Sequence, residues 1–135
     1  ALSEVQAIEA YNLGYAAIQR ADHAASLAEA TSDPKEKRQS QRTAATEYEQ
    51  ARRHFEAAVR LDAYLYEGFT YLGYANRKLG RHAQALDAYQ RALKLNPQHA
   101  QARERLAALD APPPRAGGLP ASPGTGCGAY QRPPP

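Results

Sequence analysis

Methionine and tryptophan are absent from the 135 residues, and cysteine occurs once. A single Cys excludes an internal disulfide framework and any cysteine-rich zinc site. No apolar run approaches the roughly 20 residues that a membrane helix needs, so no segment reads as a bilayer span. Excess charge of one sign is also missing: 17 Lys and Arg stand against 14 Asp and Glu, for a net +3. The longest basic cluster, Lys35 to Arg38, is interrupted by Glu36. It reads as a solvated helix face and not as a phosphate-binding stripe, which argues against nucleic acid as the main ligand. Catalytic signatures are lacking as well. The four His (His23, His54, His82, His99) show no HExxH or other metal-binding spacing, and there is no Gly-rich phosphate loop and no G-x-S-x-G. The expectation is a non-enzyme with no cofactor and no metal.

What is present divides at Asp110. Residues 111–135 hold five Gly and eight Pro, with Leu119 and Tyr130 as their only large apolar side chains. Such a segment buries too little apolar surface to offset its ordering entropy and is expected to be a disordered tail. Pro120 and Pro123 form a PxxP spacing, which proline-reading domains bind and which Pro-rich tails also reach by chance. Cys127, between glycines, reads as an exposed thiol or as a site of intermolecular pairing.

Residues 1–110 read as helix throughout. Ala, Glu, Gln, Arg and Leu dominate, and no segment alternates with period two. Asp33-Pro34-Lys35-Glu36 predicts a helix start, with Asp33 as N-cap, Pro34 at the first turn and Glu36 reaching back. Two helices of nearly equal length, about 3–31 and 34–61, are therefore expected to form an antiparallel hairpin.

Internal similarity decides the architecture. The stretch from Ala51 to Asp62 matches Ala85 to Asn96 at a spacing of 34: small residues at 51/85 and 58/92, aromatics at 55/89, aliphatics at 59/93 and 61/95. Leu13-Gly14-Tyr15-Ala16 recurs as Leu72-Gly73-Tyr74-Ala75 at a spacing of 59. The 25 extra residues are an insertion, about 21–45, read as roughly three added turns on each helix of the first pair. Leu27 with Ala21, Ala24 and Ala28 gives it a thin apolar stripe. It reads as a solvent-exposed projecting hairpin or as a docking arm.

The period and residues resemble the tetratricopeptide repeat family, whose unit is a 34-residue helix pair. The unit at about 66–99 carries Phe69, Leu72, Gly73, Gly80, Ala85, Tyr89, Ala92 and Pro97 at the family's positions; Asn76 replaces the usual aromatic. The first unit matches in two pieces, about 7–20 and 46–65. A last helix, about 98–109, is similar to the family's terminal cap, with Arg103, Glu104 and Arg105 expected on its solvated face. The resemblance implies an all-α fold: a short α-α solenoid of about two helix pairs plus a capping helix, in a domain spanning 1–110. In that family the first helix of each pair lines an inner surface. In the second unit Phe69, Leu72, Gly73 and Asn76 are the expected buried face, and Glu67, Thr70, Tyr71, Tyr74, Arg77 and Lys78 the opposite one. The first unit presents Ile8, Tyr11, Asn12, Tyr15, Ile18 and Gln19 there. The candidate peptide-binding residues are thus Tyr11, Asn12, Tyr15, Thr70, Tyr74, Arg77 and Lys78, because Tyr offers contact area and a hydroxyl at low entropy cost. The Lys and Asn clamp that some members use for a partner's C-terminal carboxylate is replaced by Tyr11, Tyr15 and Tyr74.

The expected function is protein or peptide binding on that face. Self-assembly through the repeat ends and the hairpin, giving a homo-oligomer, is the alternative. Ala1 is not an initiator residue, so a trimmed initiator, a removed signal peptide and an excised fragment all fit. Short repeat proteins similar to this one, with a long first hairpin, are commonly exported bacterial proteins. That resemblance favours a processed, periplasmic or secreted chain over a cytoplasmic one.

Overall fold

The computed structural model describes residues 1–110. The Pro- and Gly-rich segment 111–135, with Pro120, Pro123 and Cys127, lies outside the described residues. Five helices follow in order: α1 (Leu2–Ala30), α2 (Pro34–Leu61), α3 (Tyr66–Lys78), α4 (His82–Leu95) and α5 (Ala100–Asp110). Each packs on its neighbour in sequence, giving two helix pairs and a terminal helix.

Local chemistry sets the helix ends. Asp33 accepts the Lys35 amide at 3.1 Å, with Pro34 in the first turn of α2. Glu36 does not reach back to the cap as expected. It accepts instead from the Thr31 hydroxyl at 2.9 Å, tying the two ends of the turn together. The Lys37 ammonium donates to the Ala28 carbonyl at 2.9 Å, satisfying an orphan acceptor at the end of α1. At the end of α3, Gly80 has φ +80°, which a side chain resists. There the Arg81 amide donates to the Asn76 carbonyl at 2.8 Å and the Gly80 amide to the Arg77 carbonyl at 3.0 Å. This αL closure turns the chain directly into α4.

The two pairs close on the same device. A Cβ built on Gly14 would lie 2.8 Å from the Phe55 ring, and one on Gly73 would lie 2.6 Å from the Tyr89 ring. Each glycine opens a niche for the aromatic of its partner helix, and both rings are completely buried. The insertion changes the spacing between glycine and ring but not the joint.

α1 and α2 run for 29 and 28 residues, roughly 43 Å each at 1.5 Å per residue. Their seam is built from alanine: Ala21, Ala24 and Ala28 of α1 and Ala44 and Ala51 of α2 are all buried. Small residues bring the helices close, and Leu27 falls to the side of their face. It turns outward at 49 % exposed, contrary to its expected place in the apolar stripe. Nor does the whole insertion project into solvent. Its base shares a core cluster with Tyr48, Tyr74 and Ala75, and Leu79 packs against that cluster. Its α2 limb, residues 34–43, is exposed at every position but Ser40.

Two measurements test these joints. Gly73→Ala gains about 1 kcal/mol of helix propensity. It drives a methyl into a buried ring, however, and overpacking costs about 1–3 kcal/mol. Urea unfolding is therefore expected to show net destabilisation, whereas a neutral or stabilised variant would mean that the niche is slack. On α2, the Arg52 guanidinium, hydrogen-bonded to Glu49 at 2.7 and 3.0 Å and aided by Arg53, holds the Glu49 carboxyl at about 2 against its usual 4.5. A carboxyl held low contributes stability that is complete above about pH 4.5 and is lost as pH falls toward 2. Glu49→Gln is expected to flatten the urea midpoint against pH across that window. An unchanged acid limb would remove Glu49 from the account.

Candidate functional site

The face formed by α1, α3 and α5 is where the sequence placed its binding residues. It is an aromatic ladder, and much of it is closed. Tyr11 and Tyr15, one turn apart on α1, stack at 6.5 Å and 11°. From below, Phe55 meets Tyr11 edge-on at 5.6 Å. From the side, Tyr71 meets Tyr11 at 6.0 Å and Tyr15 at 5.6 Å, both edge-on. Tyr71 itself stacks on Phe55 at 5.7 Å. Next along, the Arg105 guanidinium of α5 lies 4.5 Å from the Tyr74 ring centroid, and the Lys78 ammonium lies 5.3 Å from it.

These contacts repeat. Tyr15 and Tyr74 are equivalent positions, as are Tyr71 and Arg105, 34 residues apart. Each first-helix tyrosine is thus covered by the same register position of the next first helix: Tyr71 on Tyr15, and Arg105 on Tyr74. This corrects three expectations. Tyr74 is 1 % exposed and offers no ring to a ligand. Tyr71 is buried beneath the ladder. Arg105, expected in water, is 7 % exposed, while Arg103 and Glu104 beside it do face solvent.

Thr70 is also corrected: it is fully buried, and its hydroxyl donates to the Tyr66 carbonyl one turn back, at 3.0 Å. Ile18 is buried in the seam. Asn12 is exposed; Tyr11, Tyr15, Arg77 and Lys78 are half-buried; Ile8 and Gln19 are exposed. The open part of the face is therefore concentrated on α1, with Arg77 and Lys78 at the far end of α3.

Asp22 is the residue that the sequence reading missed. One of its oxygens, Oδ1, accepts the Tyr48 hydroxyl of α2 at 2.5 Å and the Tyr74 hydroxyl of α3 at 2.8 Å. One carboxylate of the inserted segment thereby pins three helices. Burial, then the Asp22 charge, pushes the Tyr74 phenol well above its ordinary range, so the phenol stays a donor. Tyr11 and Tyr71 are also pushed up, chiefly by burial, and burial pushes His99 down. A usable signal existed: Asp22 is two turns beyond Tyr15, on the same helix face, and is an acid set among alanines.

Among the described residues no group of three or more His, Cys, Asp and Glu is placed to hold a metal ion. No helix among them is long and apolar enough to cross a membrane.

The family model of the tetratricopeptide repeat matches residues 66–99, the α3–α4 pair with its closing turn. No curated protein matches the chain. With the α1–α2 hairpin before that repeat and α5 after it, the described residues form a short all-helical solenoid of tetratricopeptide type. The repeat suggests a protein–protein interaction module with protein partners, and its family is generally non-catalytic.

Asp22→Ala would leave two buried phenol hydroxyls without their acceptor. A hydrogen bond to a charged group is worth about 1.5–3 kcal/mol, so the loss is expected to reach about 2–3 kcal/mol in chemical denaturation. A double-mutant cycle with Tyr74→Phe should show strong coupling. Additive effects would mean that the carboxylate does not join the two helices.

Proposed function

We propose that this chain is a non-catalytic protein-interaction module that holds a peptide or helix of a protein partner against α1. Tyr11, Asn12 and Tyr15 form the centre of the site, and Arg77 and Lys78 its charged end. The observation that carries this reading is the half-buried Tyr11–Tyr15 stack, fixed from behind by Phe55 and Tyr71. Rings already held in place lose little rotamer freedom when a ligand covers their open edges. Asn12, exposed beside them, supplies a donor and an acceptor suited to a peptide backbone. Ile8, exposed one turn earlier, adds apolar contact. Thr70 and Tyr74 have no part in this surface, because both are buried.

A second reading, self-association, draws on a different face of α1. Leu2, Val5, Leu13 and Leu27 are exposed along one stripe of the helix. Leu13 is 56 % exposed, whereas its register equivalent Leu72 packs against both core clusters. The first helix thus keeps open a position that the preceding helix pair covers in the second unit.

Affinity capture from native extract separates the two readings. The triple variant Ile8→Ala/Asn12→Ala/Arg77→Ala, checked for helicity, is expected to weaken capture of a specific partner about tenfold or more. Leu13→Lys is expected to leave that capture intact. If the triple variant keeps its partner, the α1 surface is not the site. If the chain captures only itself and Leu13→Lys abolishes a concentration-dependent mass in sedimentation equilibrium, self-association takes its place.

A further inference from the structure

The opposite side of the molecule carries a second surface that the peptide-binding face does not use. Between the C-terminal half of α2 and α4 runs an open cleft of about 640 Å³. Its floor is apolar, made by Phe69 and Leu72 of α3 and flanked by Val59. Asn76 lines it at the position where the repeat ordinarily carries an aromatic side chain. A short side chain there leaves space that a ring would fill.

The rim is basic. Arg52, Arg60, Arg81 and Arg91 line the cleft against two carboxylates, Glu56 and Asp87. Their engagement differs. Arg52 is held by Glu49 and Glu56 at 2.7 and 3.0 Å and forms a fixed wall. Arg91 meets Asp87 at 3.1 Å and lies 6.0 Å from the Phe69 ring, over the floor. Arg81 approaches Glu49 only to 3.6 Å. Arg60 makes no ion pair among the described residues, and its side chain is exposed at the cleft edge. Arg91 and Arg81 each meet a carboxylate through a single nitrogen, so an apolar floor lies between guanidinium groups with donors to spare, the complement of one particular ligand pattern.

We propose that this cleft docks an acidic protein segment, with a bulky apolar side chain set on Phe69 and Leu72 and flanking carboxylates paired with Arg60, Arg81 and Arg91. Planar guanidinium forks bind carboxylates bidentately, and the apolar side chain supplies the desolvated centre. The chain's own residues 111–135 do not match this ligand, because their only charged side chains are Arg115 and Arg132 and they hold no Asp or Glu. The site shares no residue with the α1 surface, so each can fail without the other.

The test uses three fluorescein-labelled peptides with the full chain: Glu-Glu-Leu-Phe-Glu-Glu, its Ala-Ala-centred analogue and its Lys-flanked analogue. Fluorescence anisotropy is expected to show saturable binding of the first, with at least about tenfold weaker binding of the other two. Affinity should fall as salt is raised. Arg60→Glu/Arg91→Glu changes two exposed side chains and should fold normally by circular dichroism; it is expected to abolish binding of the first peptide. Asn76→Tyr, which restores the ring, is expected to remove the preference for Leu-Phe over Ala-Ala. Asn12→Ala, on the other face, should change nothing. Equal binding of all three peptides, no saturable binding, or binding that survives the double charge reversal would each overturn the proposal. So would loss of binding in Asn12→Ala.

Discussion

Two helices can approach only as closely as the bulkiest side chain between them allows. Here that limit is set by a ring sunk into the space of a missing Cβ. Phe55 occupies the niche of Gly14, and Tyr89 that of Gly73. The close approach leaves small residues such as Ala17 and Ala51 in the first pair, and Ala85 and Ala92 in the second, with no exposed surface. Everything further out depends on it. The alanine seam of the long hairpin continues from the first niche, and α5 rests on the pair closed by the second.

The insertion lengthens the first pair and also contributes to the core. Asp22, brought in at its base, accepts from Tyr48 of α2 and from Tyr74 of α3, while Leu79 packs beside them. A polar atom in such a place is costly unless satisfied, and this carboxylate is satisfied by two phenols. The same contact withdraws Tyr74 from solvent and shifts the open inner face toward α1. Stability and exposure are therefore coupled, since the phenol that locks the helices together is the one lost from the open face.

Charge follows a similar division. On α2, Glu49 gathers Arg52, Arg53 and Arg81 at 2.7 to 3.6 Å and joins the second helix to the start of the fourth. These pairs are partly exposed, so each adds modestly to stability, and the network matters more for orienting the guanidinium groups. The ladder of the inner face uses cations differently, with Arg105 and Lys78 set over the Tyr74 phenol ring.

The architecture is legible in the sequence because a repeat imposes a periodic demand. The joint needs a glycine and an aromatic at set positions, so Gly14, Phe55, Gly73 and Tyr89 had to recur, and the inserted 25 residues showed as a change of spacing. Helix ends were legible for the same local reason at Asp33, Gly80 and Pro97. Side-chain exposure on the inner face was not. Periodicity assigns Thr70, Tyr71, Tyr74 and Arg105 to a side of their own helix, but burial depends on what the next helix lays over that side. Only the tertiary structure decided that Tyr71 covers Tyr15, that Arg105 covers Tyr74, and that Asp22 reaches two hydroxyls 26 and 52 residues away. Local sequence determines the repeating joint because the joint lies within one helix pair. The surface left open is decided between pairs, where no single period operates.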